Sequence, residues 1–135
     1  MKNPKISSKK QIEELISDLI ESSKQTKQQL VNLSDTDPFE FLGKLKFEQI
    51  GCDPLDKKRH LNLIEQLNQT FTYLTSFLAV RILIDRHPKA VPFSLNLGTG
   101  GGSDISSEGD GGIIAEVFSA TNPKNNKKLE KDLQK

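Results

Sequence analysis

The sequence of 135 residues has a single cysteine, no tryptophan and almost no net charge. Because Cys52 has no second cysteine to pair with, an internal disulfide framework and a cysteine-rich zinc site are excluded. Nineteen basic residues against eighteen acidic ones leave a net charge of +1. That balance excludes a nucleic-acid contact built on bulk charge alone, so any such contact must come from a local basic patch.

Long apolar runs are also missing from the sequence. The longest, residues 77–80 and 82–84, are separated by Arg81 and are far too short to cross a membrane. Residues 1–5 lack the apolar stretch of a signal peptide. The chain length suits one domain with one core. We therefore expect a soluble cytoplasmic domain that makes no membrane contact.

The first part of the sequence predicts helices. Ser8 followed three residues later by Gln11 has the form of a capping box, and apolar residues then recur at helical spacing. This predicts a helix over residues 9–32. Its apolar stripe consists of Ile12, Leu15, Ile16, Leu19 and Ile20.

Residues 39–50 follow a second helix-start signal. Asp37 and Pro38 are typical of an N-cap and a first helical position. The apolar spacing that follows fits a helix and a strand equally well, so the pattern leaves both open. Residues 51–54, Gly-Cys-Asp-Pro, break the segment.

A long helix is predicted over residues 55–86, ended by the His-Pro pair at 87–88. Apolar residues at alternating steps of three and four predict its core-facing stripe. They are Ile64, Leu67, Phe71, Leu74 and Leu78. The other side is polar, and Glu65 is the one acid between Asp56 and Asp85, either a solvated side chain or a carboxylate that points toward a site.

The second half predicts strands joined by glycine-rich turns. Seven of the nine glycines lie between Gly98 and Gly112. Residues 91–97 alternate apolar and polar side chains, as a strand does. Residues 104–107 and 113–120 flank an Asp-Gly-containing turn and predict a β-hairpin. A helix is expected from residue 123 onward.

The hairpin brings two acids together in the register that we predict. If Ser107 pairs with Ile113, then Asp104 lies directly opposite Glu116. The Cβ atoms of opposed residues in an antiparallel pair are about 4.5–5.5 Å apart. Two carboxylates at that separation repel each other unless a cation or a shared proton lies between them.

Glu116 interrupts an apolar run, residues 113–118, of the type found in a buried central strand. A charge there is unfavourable unless it is paired or binds a metal. The alternative is an edge strand whose glutamate faces water.

The tail that follows, residues 124–135, carries five lysines against two acids. These lysines form either a solvated basic face or a site in which one lysine lies beside a bound phosphate.

These residues resemble the PD-(D/E)XK nuclease superfamily, which has the restriction-endonuclease-like fold. Gly-Ser-Asp-Ile at 102–105 matches the acid of the family's second strand, and Ala-Glu-Val-Phe at 115–118 matches part of the acid-x-Lys element. The resemblance covers residues 55–135. It implies that the helix at 55–86 and the tail are the two core helices.

The resemblance further implies a Mg²⁺ site, with Mn²⁺ as a substitute, held by Asp104, Glu116 and the backbone carbonyl of Val117. Phe118 stands where the family has lysine, so the catalytic lysine would be Lys128, with Lys127 as the alternative. Glu65 would complete the site from the first core helix. A final family strand does not follow the tail within these residues, so the chain is expected to be a fragment or a reduced relative.

The sequence thus predicts an α/β fold with N-terminal helices, a long core helix, and a small mixed sheet of one strand plus a hairpin, followed by a helix. Residues 1–54 would be an added helical segment and 55–135 the endonuclease-like core. The expected function is a Mg²⁺-dependent endonuclease acting on double-stranded DNA, with a possible homodimer through the helices. The alternative is an inactive nucleic-acid-binding or protein-interaction module. Walker, dinucleotide-binding and serine-hydrolase motifs are missing from the sequence.

Overall fold

The computed structural model describes residues 3–98 and 102–118. In this part of the chain the predicted α/β class is confirmed, with three α-helices and two small sheets, both antiparallel rather than mixed. The helices are α1 Lys9–Leu33, α2 Pro38–Phe47 and α3 Leu63–Arg86. The strands are β1 Lys5–Ile6, β2 Gly51–Asp53, β3 Asp56–Leu61, β4 Phe93–Leu95, β5 Ile105–Ser107 and β6 Ile114–Ala115. None of the described helices is long and apolar enough to cross a membrane.

Both helix-start signals of the first part are confirmed. The Ser8 hydroxyl accepts the Gln11 backbone N–H, and the Gln11 side chain in turn accepts the Ser8 N–H at 3.2 Å. The Asp37 carboxylate accepts the backbone N–H groups at the start of α2, with Pro38 in the first turn. These caps satisfy donors that have no partner within the helix. The ambiguous residues 39–50 are therefore mostly helical.

The larger sheet has the strand order β1-β4-β5-β6. Strand β1, near the start of the chain, pairs with β4, so that Ile6 lies opposite Phe93. Fully buried side chains from these strands pack with α1 and α3 in one core. That core consists of Ile6, Ile12, Leu19, Tyr73, Phe77, Val80, Ala90, Phe93, Leu95, Ile105 and Val117.

The predicted helix over 55–86 is wrong in its first turns, because residues 56–61 form β3 and pair with β2. The reversal is built by Asp53, whose side chain accepts the Leu55 backbone N–H at 2.9 Å. Such aspartate turns offer the backbone an alternative to helix. Helix α3 begins only after Asn62, whose side chain caps it. The β2–β3 hairpin spans the predicted boundary between residues 54 and 55, and the division into two segments remains a prediction.

The predicted core stripe of α3 is wrong for most of its residues, although Leu74 packs against the core and Leu78 is half-buried. Residues Ile64, Leu67 and Phe71 are half-exposed, and a different face of the helix is buried. That buried face is formed by Gln66, Tyr73, Ser76, Phe77 and Val80. Polar residues can face the core here because their partners lie there too: Gln66 donates to the Ser22 hydroxyl at 2.9 Å. Hydrogen-bonded polar groups can be buried at little cost, and apolar spacing alone does not reveal them.

A buried hydrogen-bond network connects α3 to the β2–β3 hairpin. The fully buried Asp53 carboxylate accepts the Tyr73 hydroxyl at 3.0 Å and lies 3.4 Å from the Arg59 guanidinium. Burial of the phenol, followed by the nearby Asp53 charge, raises the pKa of Tyr73 well above its ordinary value. Folding therefore favours the protonated phenol.

We expect the free energy of unfolding to fall as the pH rises above 10, the ordinary pKa of the tyrosine side chain. There the unfolded chain releases a proton that folded Tyr73 retains, which costs up to about 1.4 kcal/mol per pH unit. Below that pH the contribution is fully present. Urea denaturation from about pH 8 to about pH 11 measures it, and phenolate absorbance reports on Tyr73 alone because the chain has one tyrosine.

Tyr73→Phe is the control for this prediction, because it separates the effect of the phenol from that of any other group that responds to pH. The variant keeps the ring and removes the phenol, so its unfolding free energy should depend less steeply on pH. Equal slopes for the two proteins would contradict the assignment. So would a phenolate transition at the ordinary tyrosine pKa while the protein is still folded.

Candidate functional site

The β5–β6 hairpin adopts the predicted register. Ile105 lies opposite Ala115, Ser106 lies opposite Ile114, and the Ser107 N–H donates to the Ile113 carbonyl at 2.8 Å. Continued by one residue, this register places Asp104 opposite Glu116. The two acids therefore lie at the open end of the hairpin, beyond its last paired residues.

Asp104 is held by backbone contacts on both sides. Its carboxylate Oδ2 accepts the Val117 N–H at 2.9 Å, and its own carbonyl accepts the Asn96 N–H at 2.8 Å. The residue is half-buried. These contacts give Asp104 a defined position between β4 and the end of β6, unlike a flexible surface carboxylate.

Glu116 lies on an exposed strand. Among the described strands, β6 is at the edge of the sheet, and the Ile114 side chain is 67% exposed. Of the two alternatives that the sequence left open for residues 113–118, the described residues favour the edge strand over the buried central strand, because β6 pairs with β5 on one side and with no described strand on the other. Burial consequently does not oblige Glu116 to be paired, and its role at a metal remains a prediction.

The other predicted site residues are more scattered. Glu65 lies in the first turn of α3, where its side chain accepts the Asn62 N–H at 3.3 Å as the second half of a capping box. Lys127 and Lys128 lie outside the described residues. The structure thus brings Asp104, Glu116 and Val117 together on one hairpin and gives Glu65 a capping contact.

The donor set at the end of the hairpin consists of hard oxygen ligands. Two carboxylates and the Val117 carbonyl suit Mg²⁺, which keeps several waters and is held by one or two protein carboxylates. Within residues 3–98 and 102–118 there is no cluster of three or more histidine, cysteine or acidic side chains that could hold a metal. A magnesium site at this end of the hairpin therefore remains a prediction.

The turn of the hairpin is held by contacts that the sequence did not predict. Glu108 lies 3.0 Å from the Lys5 ammonium and accepts the Ser94 hydroxyl at 2.9 Å. Lys5, followed by Ser94, holds the pKa of the Glu108 carboxyl below its ordinary value. No local motif predicts these contacts, because they depend on the pairing of β1 with β4, two strands that are distant in sequence.

Comparison of the chain with protein-family models, with curated proteins and with solved structures found no match.

Proposed function

We propose that this protein is a metal-dependent nuclease that hydrolyses phosphodiester bonds in double-stranded DNA and has a restriction-endonuclease-like core. The observation that carries the proposal is the position of Asp104, anchored to the Val117 N–H and opposite Glu116 in the hairpin register. Two acids at neighbouring cross-strand positions repel each other, and a bound cation removes that cost.

Asp104, Glu116 and the Val117 carbonyl would hold the Mg²⁺ ion. When bound, the metal polarises the scissile phosphate and lowers the pKa of an attacking water. The Val117 N–H donates to Asp104 Oδ2 at 2.9 Å and so helps to hold the carboxylate in position. Lys128, or Lys127, would supply the positive charge that the family motif places at the position of Phe118.

Metal binding tests the proposal before turnover does. We expect Mn²⁺, titrated calorimetrically into the full chain, to bind saturably, and Glu116→Gln to weaken that binding at least about tenfold, because one carboxylate ligand loses its charge. Glu116 is exposed, so the variant should fold normally. Asp110→Asn is the matched control, since Asp110 is an exposed acid in the turn of the same hairpin.

Saturable binding that is lost in Glu116→Gln and kept in Asp110→Asn would support the site. Equal weakening by both substitutions would indicate only general attraction of the cation to the acidic hairpin. If folded protein binds no Mn²⁺, the nuclease proposal fails. Where binding is found, cleavage of supercoiled plasmid by the protein and by Lys128→Met tests the chemistry.

The second candidate is an inactive nucleic-acid-binding or protein-interaction module on the same fold. Two observations favour it: Phe118 in place of the motif lysine, and large apolar side chains exposed on the helices, among them Phe39 and Phe71. DNA binding without cleavage in the presence of Mn²⁺, and unchanged by Glu116→Gln, would favour this function over the nuclease.

A further inference from the structure

An open apolar groove runs between α1 and α3. It has a volume of about 350 Å³ and is bordered by Ile16 and Ile20 of α1 and by Phe71 and Leu74 of α3. The Ile20 side chain is 53% exposed and that of Phe71 is 52% exposed. Large apolar side chains exposed singly are ordinary, but a contiguous patch marks an interaction surface.

Phe71 and Leu74 belong to an apolar stripe along α3, in which four of the six residues are exposed and Leu74 and Leu78 are half-buried. Its members are spaced three or four residues apart, so they lie on one side of the helix. They are Ile64, Leu67, Phe71, Leu74, Leu78 and Ile82. This is the same set of positions that the periodicity predicted to face the core, extended by one residue. A stripe of core-like composition outside the core is the pattern expected of a helix that is covered by a partner.

The charges on α1 indicate what that partner is. Glu13 and Lys27 are both exposed, and each lies seven residues from Ile20, one toward each end of the helix. Seven residues are close to two helical turns, so all three side chains share one stripe. Lys24 and Ile16 are likewise each four residues from Ile20. The stripe therefore has Glu13 on one side of its apolar middle and Lys24 and Lys27 on the other, while Lys9, beyond Glu13, is paired with Asp85 of α3.

We infer that this surface is a two-fold interface with a second copy of the same chain, in which the two α1 helices lie antiparallel and cross at Ile20. A two-fold axis at that residue brings each Glu13 opposite the second copy's Lys27, which gives two opposite-charge pairs around an apolar centre. A parallel arrangement would place like charges together. Self-complementarity about one axis is what a symmetric dimer interface requires. The inference does not depend on the proposed nuclease activity.

The basic tail is a poorer occupant of the same groove. Residues 124–135 carry five lysines against two acids, and they would meet Lys24 and Lys27 at the border of the groove. Like charges across an interface are unfavourable, whereas the antiparallel second copy presents an acid there. The charge pattern thus selects the second copy over the tail.

Sedimentation equilibrium on the full chain, from about 1 to about 100 μM, tests the interface. We expect a monomer–dimer equilibrium that Glu13→Lys and Lys27→Glu each weaken at least about tenfold, because each change creates two like-charge pairs. The double variant Glu13→Lys/Lys27→Glu should recover the dimer, and an equimolar mixture of the two single variants should form a heterodimer. Ile20→Asp, at the axis, should abolish the dimer.

Glu14→Lys is the matched control, because it makes the same charge change one residue along α1, on a different side of the helix from Ile20. It should leave the dimer intact. A chain that is monomeric throughout the range overturns the proposal, as does a dimer that Ile20→Asp or the charge reversals leave unchanged. In a monomer, hydrogen-exchange protection of residues 119–135 that Ile20→Asp removes would assign the groove to the tail instead.

Discussion

Asp53→Ala should lower the free energy of unfolding by about 3 kcal/mol, measured by urea denaturation at neutral pH. The substitution removes the acceptor of the buried Tyr73 hydroxyl and of the partly buried Leu55 N–H. A buried polar group without a partner costs about 1–3 kcal/mol. The Arg59 side chain is 36% exposed and can turn to water, so its loss of a partner adds little.

Asp56→Ala is the matched control for this loss. Asp56 lies at the start of β3 and accepts the Lys58 N–H at 3.2 Å, but it is only half-buried. Its replacement should cost less than about 1 kcal/mol. A double-mutant cycle with Tyr73→Phe should give a coupling of at least about 1 kcal/mol between Asp53 and the phenol. If the two single effects add without coupling, the hydrogen bond is not the source of the stability.

Gly109→Ala should destabilise the protein by about 3 kcal/mol or more in the same denaturation experiment. An alanine Cβ at this position would overlap the carbonyl oxygen of Val91 and lie 2.7 Å from that of Lys89. Both obstacles are backbone atoms, which a rotamer change cannot move. The turn approaches this segment closely because the Gly109 and Asp110 N–H groups donate to carbonyls there, at 3.2 and 3.0 Å.

Gly43→Ala makes the same chemical change where there is room. A Cβ on Gly43, inside α2, would meet nothing within 4 Å. Alanine is the better helix former, so this variant should be more stable by about 0.5–1 kcal/mol. Opposite signs for the two glycines are the expected result. Two effects of similar size would mean that the hairpin turn does not lie against residues 89–91.

The features that could be predicted from the sequence are those set by neighbouring residues. Ser8 and Gln11 cap α1 through contacts three residues apart, and the turn at residues 108–112 is enough to set the pairing of β5 with β6. Local chemistry determines such elements. The predicted start of α3 was wrong because Asp53 reverses the chain there, and its hydrogen-bond network is completed by Tyr73, which is distant in sequence.

The prediction of which side of α3 faces the core failed for a related reason. Two sides of this helix carry apolar residues, and periodicity favours the more regular one, Ile64 to Leu78. The side that is buried includes Gln66 and Ser76, whose polar atoms mostly find partners inside the fold. Which side faces the core depends on the elements that pack there, and these are fixed only when the chain folds.

At the candidate site, the sequence located the two acids of the hairpin and their register. It did not indicate how Asp104 is held, because the donor is the backbone N–H of Val117, and a backbone group does not depend on the residue type at that position. The exposure of Glu116 was equally hidden, because an apolar run reads the same at the edge of a sheet as at its centre.

The pairing of β1 with β4 has a consequence for how the protein folds during synthesis. Lys5 and Ile6 are synthesised before all three described helices, whereas their partners, Phe93 and Ser94, are made only after them. Until then Ile6, which is fully buried in the finished fold, has no core to enter. Pairing between strands so distant in sequence closes a long loop and slows folding relative to local contacts. The helices can thus form early, whereas the larger sheet cannot be completed until β4 has been made and pairs with the much earlier β1.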